Sequence, residues 1–117
     1  MGLPWVRLDT QFPQNPKVLA LTSAGKWRAA FVYVAGLAYA GQHGTDGYLP
    51  ESCLPFIHAT KQTAVELVKA DLWHMDVGGW AINDYDEFQM SDDAAKARSD
   101  KARKAARRRW GIDDAQA

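Results

Sequence analysis

The longest helical pattern with an apolar face in this chain covers residues 26–42, held between Gly25 and the breaker His43-Gly44-Thr45-Asp46-Gly47. Trp27, Phe31, Val34, Leu37 and Ala38 recur there at three- and four-residue spacing, which predicts one broad apolar face widened by Tyr33 and Tyr39. A helix of this kind suits the centre of a small domain, and the rest of the chain has to wrap around it. With 117 residues there is room for one compact domain and little else. The longest apolar stretch, residues 29–40, falls well short of the ~20 residues that span a bilayer. No secretory signal is visible, so a cytoplasmic protein with no membrane role is expected. Cys53 is the single cysteine, which excludes an intramolecular disulfide framework, and it reads as a small buried hydrophobe.

Everything outside the central helix is cut into short pieces. Asn15-Pro16 is a good helix start, because Asn caps and Pro at the first position loses only an unpaired N–H; this helix covers residues 16–22. Trp5-Val6-Arg7-Leu8 reads as a short strand or an extended lead-in. Tyr48-Leu49, closed by Pro50, predicts a very short strand. Residues 51–59 read as a third helix, with a true start near Ser52 so that Pro55 falls in its first turn. Thr60 caps a fourth helix over residues 61–70, with Ala64, Leu67 and Val68 buried. Residues 72–75 and 80–83 predict two strands around the turn Asp76-Val77-Gly78-Gly79. Residues 84–89 read as a loop or short extension. Trp27, Phe31, Phe56, Tyr48, Trp73 and Trp80 are assigned to the core and sheet, with Trp80 and Ile82 packing on the central helix near Phe31.

This order predicts an α+β, mainly α fold: a winged helix-turn-helix with a small three-stranded sheet, in which Tyr48-Leu49 pairs with the hairpin because an isolated hairpin is marginal. The domain is placed at residues 1–91, and a basic, helical C-terminal arm at residues 92–117.

The balance of 14 basic and 14 acidic residues hides a split. Residues 1–90 carry six basic and nine acidic side chains, whereas residues 91–117 carry eight basic and five acidic. Within residues 96–109 eight cations face only Asp100. An acidic body with a basic arm points to nucleic acid or an anionic surface. Interspersed Ala94, Ala95, Ala97, Ala102, Ala105 and Ala106 favour a helix, and Asp92 and Asp93 suit its positive start. Trp110, directly after three Arg, is placed to stack on a base, cap the arm against the body, or pack on a second protomer.

Three stretches also carry a family likeness: Thr45-Asp46-Gly47-Tyr48-Leu49-Pro50, then Lys69-Ala70-Asp71-Leu72-Trp73, then the run from Gly78-Gly79-Trp80-Ala81-Ile82 through Asn83-Asp84-Tyr85-Asp86-Glu87-Phe88-Gln89. With the lead-in Trp5-Val6-Arg7-Leu8-Asp9 and Asn15-Pro16-Lys17, the chain resembles phage-encoded winged-helix proteins. These are similar to the N-terminal domain of phage replisome organisers and DnaD-like primosomal proteins. The likeness covers about residues 5–91. It implies DNA-linked work in transcription regulation, recombination or DNA replication within a bacterial host, at the nucleoid.

In a helix-turn-helix the second helix enters the major groove and its early residues reach base edges. The expected contacts are therefore Lys61, Gln62, Thr63 and Lys69, with Gln suited to adenine and Lys to guanine or phosphate. Lys96, Arg98, Lys101, Arg103, Lys104, Arg107, Arg108 and Arg109 would supply affinity for double-stranded DNA by neutralising phosphates. The hairpin tip, Asp76 and Val77, offers no positive charge. The alternative is an adaptor whose acidic domain docks on a host or phage protein, with a homodimer also open. His43, His58 and His74 have no metal-ligand spacing, and the acidic knot Asp84, Asp86, Glu87 lacks the placed Lys of a metal nuclease. No enzyme, catalytic residue, metal or cofactor is expected.

Overall fold

The computed structural model describes residues 2–88. After a single 3-10 turn at Phe12–Gln14, helix α1 spans Pro16–Ser23. Its cap is the one the sequence signals: the Asn15 side chain accepts a hydrogen bond from the Lys17 amide at 2.8 Å. Helix α2 spans Trp27–His43 and ends on Gly44, whose φ of 64° places it in the left-handed region that stops a helix. Strand β1 (Tyr48–Pro50) leads into a 3-10 helix at Glu51–Ile57, and helix α3 follows at Lys61–Lys69. Strands β2 (Trp73–Asp76) and β3 (Gly79–Ile82) and a one-turn helix α4 (Tyr85–Phe88) complete the described chain.

The fold is α+β and mainly helical, with one antiparallel sheet in the order β1-β3-β2. Leu49 lies opposite Trp80, and Trp73 opposite Ile82. A side chain at Gly79 would place its Cβ 2.1 Å from the Leu49 carbonyl oxygen, so only glycine lets β1 lie this close to β3. One polar knot ties three elements together: Lys17 donates to the Asp71 carbonyl at 3.0 Å, and the Asn83 amide donates to the same oxygen at 2.9 Å.

The core lies between α2, α3 and the sheet. Trp73, Leu49, Ile57, Leu67, Val32 and Cys53 are its largest fully buried side chains. Trp73 and Leu49 both approach α2 at Gly36. Burial pushes the Cys53 thiol up to about 11, so it stays protonated and unreactive.

Several expectations need correction. Trp27, Phe31 and Phe56, assigned to the core, are 68%, 57% and 77% exposed. The buried face of α2 is instead Ala29, Val32, Gly36, Leu37 and Ala40, and of the expected apolar set only Leu37 is buried. Small side chains let the sheet and α3 approach the helix closely, so the face with less apolar bulk is the packed one. Ile82 is buried, but it meets α2 beside Gly36 rather than near Phe31. The segment holding Pro55 winds as a 3-10 helix over Glu51–Ile57 with Pro55 inside it, and not as an α-helix with Pro55 in its first turn; an α-helix begun at Glu51 would put the ring in its interior, where it clashes with the preceding turn. Residues 85–88 form α4, where a loop or short extension is expected.

Candidate nucleic-acid interface

The chain turns between the 3-10 helix and α3 through His58, which takes a left-handed φ of 62°, then Ala59 and Thr60. Thr60 and Thr63 then cap α3 reciprocally: the Thr63 amide donates to Thr60 Oγ1, and the Thr60 amide to Thr63 Oγ1, each at 3.2 Å. Thr63 is 3% exposed and its hydroxyl is committed to this cap. It therefore leaves the set of expected DNA contacts, because a buried hydroxyl cannot reach a base edge.

The outward face of α3 consists of Lys61, Gln62, Val65 and Lys69. Val65 is the member that sequence reasoning missed; its four-residue spacing from Lys61 and Lys69 is the signal that would have found it. Lys61 pairs with Glu51 at 3.1 Å, both well exposed. Glu66, flanking this face, pairs with Lys26 from the start of α2 at 2.7 Å. The Lys26 hydrogen bond holds the Glu66 carboxyl below its usual range, against the opposing effect of burial. The Lys26 charge, a Gln62 hydrogen bond and the Lys69 charge reinforce that direction.

These pairs determine what the described body offers an anion. Lys17, Lys26 and Lys61 are each engaged with a carboxylate. Exposed pairs of this kind contribute little stability and exchange readily for a phosphate, Lys61 most easily. The hairpin tip is apolar and acidic: Met75 is 76% and Val77 90% exposed, Asp76 caps the Val77 amide, and Tyr48 donates to the Val77 carbonyl at 2.7 Å. His43 packs on Tyr39, His58 on Phe31, and His74 bonds Asn83, so each histidine has its own separate contact. Among the described residues no group of three His, Cys, Asp or Glu could hold a metal ion, and no helix is long and apolar enough to cross a membrane. Lys96, Arg98, Lys101, Arg103, Lys104, Arg107, Arg108 and Arg109 lie outside the described residues.

The Lys26–Glu66 pair makes a prediction for acid stability. A carboxyl held below its unfolded value of about 4.5 stabilises the fold above that value, and the contribution is lost as pH falls through the folded value. Lys26→Met is therefore expected to make the acid limb of the stability curve shallower, measured by urea unfolding between neutral and acid pH. An unchanged limb would show that the pair carries no linkage.

No family model, no curated protein and no solved structure matches this chain.

Proposed function

We propose that the chain is a winged helix-turn-helix protein of phage or mobile-element origin that binds double-stranded DNA. In this reading α3 is the recognition helix, β2 and β3 form the wing, and the basic arm supplies affinity. The observation that carries it is the succession α2, β1, 3-10 helix, turn, α3, β2, β3 with sheet order β1-β3-β2. It leaves a capped helix whose outward face is two lysines, a glutamine and a valine. Regulation of transcription, recombination or replication are the roles that fit such a protein. Lys61 and Gln62 in the first turn would meet base edges, Val65 would offer an apolar contact for a thymine methyl, and Lys69 would hold the backbone.

Fluorescence anisotropy of the full chain on random duplexes and on a duplex enriched from a random pool tests this. Gln62→Ala is expected to cost about 1–3 kcal/mol on the enriched site and almost nothing on random DNA. Equal losses on both would reduce α3 to a backbone contact. No loss on either would favour the second reading, a protein-docking adaptor, which is supported by the paired lysines and the apolar, acidic hairpin tip.

A further inference from the structure

Helix α2 is apolar on two sides. Its inner side packs on the sheet and α3, while Trp27, Phe31, Val34 and Ala38 run along the other with successive spacings of four, three and four. That is the spacing of a two-helix seam. Between Trp27 and His43 the helix carries one formal charge, Arg28 at its start. A helix with so little charge around its circumference is ordinarily buried all round. Phe56, from the neighbouring 3-10 helix, lines the same groove with Phe31.

We propose that this stripe is a homodimer interface, in which α2 packs antiparallel on α2 of a second copy across a two-fold axis. Three observations choose a second copy over other occupants. The stripe is self-complementary: antiparallel pairing sets Trp27 against the partner's Ala38 and Phe31 against the partner's Val34, large against small at each level. Its area suffices. At about 200 Å² for a fully exposed ring, exposures of 68%, 57% and 77% at Trp27, Phe31 and Phe56 leave roughly 400 Å² per copy. Two copies contribute about 800 Å² from aromatics alone, and Val34, Ala38 and Tyr39 extend this toward the ~1,200–2,000 Å² of a stable interface. The chain's own arm is a poor cover, because its large apolar side chains are Trp110 and Ile112 alone, near its far end, and the stripe has no acidic group to attract its cations. The inference is independent of DNA binding.

Light scattering of the full chain at about 100 μM tests it, with no DNA present. The wild type is expected to be a dimer. Trp27→Lys and Ala38→Glu, both at exposed positions and so harmless to the fold, are each expected to weaken the dimer by about 100-fold. An equimolar mixture of the two variants is expected to recover a heterodimer, since one antiparallel contact then joins Lys to Glu and the other is unchanged. Circular dichroism confirms that each variant is folded. A monomeric wild type, a dimer indifferent to both substitutions, or a mixture that stays monomeric would each overturn the proposal.

Discussion

Replacing Arg107, Arg108 and Arg109 with Ala is expected to flatten the salt dependence of DNA binding by about 2–3 units in log K against log salt. Each phosphate neutralised contributes a slope of about −0.9 through counterion release. Eight cations lie in residues 96–109, and a helix would spread them around its circumference, so four to six contacts and a slope of roughly −4 to −5 are expected from the intact arm. The loss should be the same on every sequence, because phosphate contacts position and do not specify. The body cannot compensate, because it has three more acids than bases. A slope that stays put would put the arm off the DNA and move the function to protein binding.

Ile82→Ala is expected to destabilise the domain by about 2–5 kcal/mol, the usual loss for a buried large-to-small change. Ile82 is 4% exposed, sits opposite Trp73 and faces α2 at Gly36, so its removal opens the junction between sheet and central helix. Against a typical total stability of about 5–15 kcal/mol, this is a large fraction. Chemical denaturation measures it; a change below about 0.5 kcal/mol would remove Ile82 from the core and undo the docking of the hairpin on α2.

Local chemistry made much of this fold legible. Asn15 and Thr60 announce their helices because each satisfies an otherwise unpaired amide, and Gly44 and the Gly78-Gly79 pair mark where helix and strand must turn. The three-stranded sheet follows from a hairpin needing a third strand, which Tyr48–Pro50 supplies. The orientation of α2 was not legible in the same way. Ala29, Gly36 and Ala40 carry little hydrophobic weight beside Trp27 and Phe31, so the periodic pattern turns the aromatics inward. Close packing overrides it, because only small residues admit Leu49 and Trp73.

The outward set of α3 was half legible. Lys61, Gln62 and Lys69 follow from helical spacing, but Thr63 is drawn inward by its bond to the Thr60 amide, and Val65 takes the outward position between the lysines. The ion pairs of Lys61 with Glu51 and Lys26 with Glu66 join residues distant in sequence, so no local pattern could show them.

At 13.0 kDa the chain is well suited to amide-resolved NMR, and titration of the full protein with duplex DNA tests the central claim most directly. The largest shifts are expected at Lys61, Gln62, Val65 and Lys69 and along residues 96–109. An absence of shifts at low salt, or shifts confined to the α2 stripe at Trp27, Phe31 and Phe56, would contradict it.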